Sequence, residues 1–139
     1  MGAVCGIAAA GLLAANAVTD LRRREVLPIF SIIFGAAGFL WRLLVAGEPI
    51  LLLLSGMIPG VLLLVLARAS RGSIGLGDGI VVTALGGWLS FWTCFLCVVF
   101  SFVVMTVAAG VFLLSGRRHV QIPYVPFLMM GYGLLFFFL

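Results

Sequence analysis

The stretch GIVVTALGGWLSFWTCFLCVVFSFVVMTVAAGVFLLSG, residues 79–116, runs for 38 residues without a charged side chain. A membrane-spanning helix needs about 20 apolar residues, so the stretch is too long for one helix and long enough for two. We expect the break at residues 86–92, because paired glycines weaken a helix and two Trp side chains suit the membrane–water interface. The stretch therefore predicts a short fourth span followed by a fifth.

The rest of the chain has the same character. Of the 139 residues, 65% are hydrophobic and 9% are charged, whereas a soluble domain is roughly a quarter charged. This composition excludes a soluble globular protein, and the high hydrophobicity excludes intrinsic disorder. The other uncharged stretches predict spans at 1–19, 26–41 (extended to 46 if Arg42 snorkels to the interface), 49–67 and 120–139. No sustained polar–apolar alternation indicates strands. The predicted fold class is all-α, a polytopic membrane protein with a bundle of about six transmembrane helices.

The arginines predict the orientation. Seven of the eight fall in the loops after spans one, three and five, namely Arg22, Arg23, Arg24, Arg68, Arg71, Arg117 and Arg118. Loops rich in Arg stay in the cytoplasm, so we expect both termini and the loop at Glu48 to lie outside. The net charge of +4 is thus a sign of topology, and no nucleic-acid partner is expected, because no large exposed basic face is available.

Asp20 and Asp78 are the only aspartates, and the predicted topology puts both at cytoplasmic helix ends. A carboxylate at the membrane boundary is unfavourable unless it is paired, hydrated or used. One interpretation makes each an interfacial anchor beside an Arg. The other makes them a pair: if helices one and four are neighbours, the two carboxylates share a proton, and one acts as base on a water while the other acts as acid.

This paired chemistry is that of aspartic proteases, and it requires neither a metal nor a cofactor. None is predicted here, since the chain has one His and no cluster of metal ligands. Asp78 opens a helix, where the dipole favours a carboxylate, and Asp20 closes one, where the dipole disfavours it. This suggests Asp78 as base and Asp20 as the protonated partner, although the three Arg after Asp20 act in the opposite direction.

Three blocks of the chain resemble the type IV prepilin peptidases, a family of membrane-embedded aspartic proteases. They are TDLRRREVLP at 19–28, GLGD at 75–78 and IPYVPF at 122–127. The resemblance covers essentially the whole chain and implies that Asp20 and Asp78 are the catalytic pair. It also implies supporting residues that shape the motifs and the approach of the substrate: Gly75, Gly77, Pro28, Pro123 and Pro126.

The resemblance further implies what the protein does. Such peptidases remove a short basic leader from pilin-like precursors on the cytoplasmic side, just before the precursor's hydrophobic helix. The expected partners are therefore a prepilin-like substrate and membrane lipids. The chain resembles the compact members associated with Flp-type pili, which lack an N-terminal extension, and we expect a single transmembrane peptidase domain over residues 1–139.

Three other functions are alternatives. A small transporter or channel subunit would use lone carboxylates to bind protons or cations, but would hold them near mid-membrane. An intramembrane protease of the presenilin type shares Gly-x-Gly-Asp, with a poorer match elsewhere. A pilus-assembly subunit without protease activity would tolerate loss of both aspartates.

Two further patterns are interpreted as structural. Cys94 and Cys97 have CxxC spacing but lie in a hydrophobic span, where redox and zinc chemistry lack accessible thiolates. Gly56 and Gly60 have the small-residue spacing that permits close helix packing.

Overall fold

The computed structural model describes residues 2–23, 27–70, 75–115 and 124–138. All regular structure within these ranges is helical. The helices are α1 (Gly2–Arg23), α2 (Pro28–Leu44), α3 (Ile50–Ala69), α4 (Leu76–Trp88), α5 (Phe91–Leu114) and α6 (Tyr124–Phe138). The predicted all-α bundle is confirmed, as is the division of the long uncharged stretch into two helices, which falls at Leu89 and Ser90.

The surface of the bundle is suited to lipid. Three helices, α1, α3 and α5, are long and apolar enough to cross a membrane, and the apolar helices α2, α4 and α6 are shorter. Large apolar side chains cover the outside, including Leu51 and Leu114, which are 82% and 91% exposed. Such a continuous apolar exterior is typical of membrane proteins and would be an aggregation liability in water.

The shortest helix, α4, lies at the centre and packs against all five others. Its small residues allow this. A Cβ on Gly87 would lie 2.5 Å from the carbonyl oxygen of Gly35, and one on Gly56 would lie 2.6 Å from that of Gly86. The sequence prediction for the paired glycines needs correction, because the helix continues through both and ends at Trp88. Their function is close contact with α2 and α3, which is how small residues act in membrane bundles.

The helices alternate in direction, which gives the bundle two ends. We call one the site end; it holds the last turn of α1 and the first turns of α2, α4 and α6. The opposite end, called the far end, holds the α2–α3 turn and the α4–α5 link. In the α2–α3 turn Gly47 has φ +65, a conformation that favours glycine. Also at the far end, α6 is bonded to α1: the Tyr132 hydroxyl donates to the Gly6 carbonyl oxygen at 3.0 Å.

A buried ion pair holds the far end together. The Arg42 guanidinium is bonded to the Glu48 carboxylate through both Nε and Nη2, and Nη1 donates to the Leu89 carbonyl oxygen at 2.7 Å. Arg42 therefore does not snorkel to the interface as expected; it is 4% exposed and satisfies a carbonyl at the end of α4.

Trp88 is buried too, donating through Nε1 to the Phe34 carbonyl oxygen. Of the two Trp side chains predicted at the interface, Trp92 alone is exposed.

Candidate active site

Asp20 lies in the last turn of α1 and is 8% exposed. Its Oδ2 accepts a hydrogen bond of 3.3 Å from the backbone N–H of Val125, in the first turn of α6. N–H groups in the first turn of a helix have no partner within that helix, and they favour an anionic acceptor. Two helix ends therefore meet at this carboxylate, the end of α1 and the start of α6.

Asp78 lies in the first turn of α4 and is half-buried. Its backbone N–H donates to the Gly75 carbonyl oxygen at 3.2 Å, and its side chain folds back over Gly75. Asp78 interacts electrostatically with Asp20, since α1 and α4 pack side by side with these ends together. The structure thus brings the two predicted carboxylates to one end of the bundle, where like charges close together favour sharing a proton.

Gly75 and Gly79, on either side of Asp78, provide space for close contacts rather than unusual dihedral angles. Gly75 has φ −67 and ψ 127, which any residue adopts, but a Cβ there would lie 2.9 Å from Oδ2 of Asp78. Gly77 is half-buried in the first turn of α4. A Cβ on Gly79 would lie 2.8 Å from the Leu64 side chain, so this glycine lets α3 approach the start of α4.

The predicted prolines have separate positions. Pro28 is exposed and occupies the first position of α2, where its missing N–H needs no partner. Pro126 is half-buried in the first turn of α6, next to the Val125 N–H that contacts Asp20. Pro123 lies outside the described residues.

Asn16, which the sequence analysis did not single out, connects α1 to the start of α2. It is fully buried one turn before Asp20, and its Oδ1 accepts hydrogen bonds from the Leu27 N–H at 3.1 Å and the Ser31 hydroxyl at 3.2 Å. Its Nδ2 donates to the Leu12 carbonyl oxygen within α1. Residues four apart share a helix face, so Asn16 orients the face of α1 that carries Asp20.

Tyr124 and Ser101 form a second connection that the sequence analysis missed. The Tyr124 hydroxyl and Ser101 Oγ are 3.0 Å apart, and both residues are buried. Tyr124 directly precedes Val125, whose N–H donates to Asp20, so it lies next to this carboxylate's donor. The sequence signal for Tyr124 was its position directly before Val125 and Pro126. Its partner Ser101 lies on α5, 23 residues earlier, and no sequence signal marked it.

A sequence model of the type IV leader peptidase family matches residues 7–111. The chain belongs to the type IV leader peptidase family. The matched range contains both aspartates, Pro28 and the Gly75–Gly77 pair, and it ends before the Pro block at the start of α6. No curated protein and no solved structure matches the chain.

The cysteines of this leader peptidase are packing residues. Cys94 and Cys97 are fully buried, and their thiols contact the carbonyl oxygens of Val82 at 3.8 Å and Leu128 at 3.6 Å. Elsewhere in the described part of the chain, no three His, Cys, Asp or Glu side chains gather as metal ligands would.

An apolar groove of the leader peptidase lies away from the aspartates. It has a volume of about 660 Å³ between α2, α3 and α4, and α4 contributes Ile80, Thr83 and Ala84. At 100° per residue these three project from the side of α4 opposite Asp78. The groove therefore opens on the exposed apolar surface of the bundle and is separated from the two carboxylates by α4 itself.

Three arginines of the predicted cytoplasmic loops lie within the described residues. Arg22 and Arg23 end α1 and Arg68 is in the last turn of α3, and all three are exposed at the site end. The positions of Arg24, Arg71, Arg117 and Arg118 fall outside the described residues. The side of the membrane that the site end faces stays a prediction from the arginine count.

Proposed function

We propose that this leader peptidase is an aspartic endopeptidase, with Asp20 and Asp78 as its catalytic pair. The supporting observation is that these two carboxylates lie together at the site end, with no cation bonded to either among the described residues, whereas the Arg42–Glu48 ion pair lies at the far end. The proposed substrate is a pilin-like precursor, whose basic leader is cut at the cytoplasmic face just before its hydrophobic helix. The membrane topology predicted from the arginines gives this face.

The proposed reaction is direct attack by water on the scissile peptide carbonyl. The ionised carboxylate of the pair takes a proton from the water, and the new C–O bond forms as the protonated carboxyl donates to the carbonyl oxygen. Collapse of the tetrahedral intermediate breaks the C–N bond: the leaving nitrogen receives a proton from the pair, and one hydroxyl of the intermediate returns its proton to the pair as the carboxyl product forms. The pair returns to its starting state with one proton shared.

Opposing electrostatic effects decide which of the two aspartates is the base and which is the acid. The first turn of α4 favours a negative charge on Asp78, and the last turn of α1 disfavours one on Asp20, each by about 0.3–1 kcal/mol. The Val125 N–H adds support for a charge on Asp20, which the sequence analysis did not include. The pair is therefore treated as one unit with one proton, and Asp78 as base stays a prediction.

The test is co-expression with a candidate prepilin, scoring leader removal by gel mobility and by mass of the new amino terminus. Asp20→Asn and Asp78→Asn should each abolish removal while the protein still accumulates in the membrane. Glu48→Gln makes the same chemical change at the far end and leaves Arg42 without an ionised partner, so it is the control for lost stability and should still cleave when it accumulates in the membrane. Full cleavage by either aspartate variant would refute the proposal and favour a transporter or assembly role.

A further inference from the structure

The start of α6 is held at two points. On one side the Val125 N–H donates to Asp20, and on the other the preceding residue, Tyr124, is bonded to Ser101 of α5. Ser101 Oγ is also 2.7 Å from the Val98 carbonyl oxygen, to which it donates its single proton. Tyr124 must therefore donate to Ser101, so its proton is directed away from the aspartates.

The ring of Tyr124 is fixed as well. It packs against the ring of Phe102 with centroids 5.5 Å apart, and the residue is 7% exposed. Ser101 is fully buried in α5, and its hydroxyl is the point on that helix to which the first turn of α6 is bonded. Since Pro126 has no N–H, the first turn of α6 has few donors, and that of Val125 is aimed at Asp20.

We propose that Ser101 and Tyr124 are positioning residues, which hold the first turn of α6 so that the Val125 N–H orients the Asp20 carboxylate for catalysis. The proposal rests on the proposed aspartic mechanism. Neither hydroxyl is proposed to contact the substrate, because the Tyr124 hydroxyl donates to Ser101 and the Ser101 hydroxyl donates to the Val98 carbonyl oxygen. A catalytic carboxylate displaced by even about 1 Å loses much of its rate advantage.

The first experiment compares turnover of variants purified into liposomes with a prepilin peptide substrate. Tyr124→Phe and Ser101→Ala should each lower kcat about threefold to tenfold, the size expected for one lost hydrogen bond, and leave KM within about twofold. The double variant should be no slower than either single one, because both remove the same bond. Tyr132→Phe is the matched control: it removes a Tyr hydroxyl bond from the same helix at the far end and should keep the wild-type kcat.

The second experiment removes the donor itself without changing a side chain. Replacing Val125 by its α-hydroxy acid, in cell-free translation into liposomes, exchanges the N–H for an ester oxygen. Because this bond goes to a charged group, kcat should fall about tenfold to a hundredfold. The same exchange at Leu134, on the exposed surface of α6, removes a backbone donor far from Asp20 and should leave kcat unchanged.

The outcomes separate the two proposals. Wild-type kcat in Tyr124→Phe, an equal loss in Tyr132→Phe, or an effect confined to KM would overturn the positioning role while Asp20→Asn remained inactive. Multiplying losses in the Ser101–Tyr124 double variant would also overturn it, since the two would then act independently. Normal cleavage by Asp20→Asn would instead overturn the aspartic mechanism on which the inference depends.

Discussion

Replacing Gly86 by Ala should destabilise the bundle by forcing α3 and α4 apart. A Cβ at Gly86 would lie 2.6 Å from the Gly56 carbonyl carbon and 2.9 Å from the Met57 Cα. Ordinary carbon contacts are about 3.5–4.0 Å, so the helices must separate locally by about 1 Å. The obstructing atoms are backbone, so no side-chain rotation relieves the clash.

The size of the effect follows from two opposing contributions. Overpacking of this kind costs about 1–3 kcal/mol, and Ala in place of Gly in a helix interior returns about 0.5–1 kcal/mol. Gly110→Ala is the matched control, because a Cβ there meets nothing within 4 Å. It should be neutral or stabilising by about 0.5–1 kcal/mol. The two variants should therefore differ by about 1–3 kcal/mol in free energy of unfolding.

The assay is reversible unfolding in mixed micelles with increasing SDS, followed by the fluorescence of the three Trp residues. Prepilin cleavage, measured at SDS concentrations below those that unfold the protein, reports whether displacement of α4 moves Asp78. The refuting result is a Gly86→Ala protein as stable as Gly110→Ala, which would mean that α3 and α4 do not approach this closely.

Two other perturbations test connections that the structure shows. Arg42→Met leaves the partly buried Glu48 carboxylate without its partner. It should lower the free energy of unfolding by about 3 kcal/mol or somewhat less, since the Glu48 side chain is 31% exposed. Removing both charges with Arg42→Met and Glu48→Leu should restore much of that loss, and no recovery would argue against the ion pair. Asn16→Leu removes the acceptor of the Leu27 N–H and the Ser31 hydroxyl, so it should cost about 1–3 kcal/mol and lower kcat as well. Unchanged stability in the same unfolding assay would count against the Asn16 bonds.

The features that the sequence predicted well depend on the scarcity of charge. With 9% charged residues, the uncharged stretches delimit six helices, and two lone aspartates are conspicuous. Their order along the chain places both at the same end of an alternating bundle, so their meeting followed from topology once α1 and α4 were neighbours. The Gly56–Gly60 spacing likewise predicted a close contact, which the structure places against α4.

The missed features depend on tertiary contacts that leave little trace in sequence. The Val125 N–H is a backbone donor, which every residue but proline has, so nothing marks it as the partner of Asp20. Gly86 and Gly87 predicted a break by propensity, but packing of α4 against α2 and α3 overrode that weak preference. Arg42 had a visible signal, since Glu48 follows six residues later across a turn.

The central claim is that Asp20 and Asp78 act as one catalytic unit. Its most direct test is the single-turnover rate constant for leader removal by the purified protein in liposomes, measured for Asp20→Asn, Asp78→Asn and the double variant. Each single substitution should lower the rate constant by about 10²–10⁴-fold, and the double variant should be no slower, because residues that act together are not additive. A single variant that keeps more than about a tenth of the wild-type rate, or losses that multiply in the double variant, would contradict the claim.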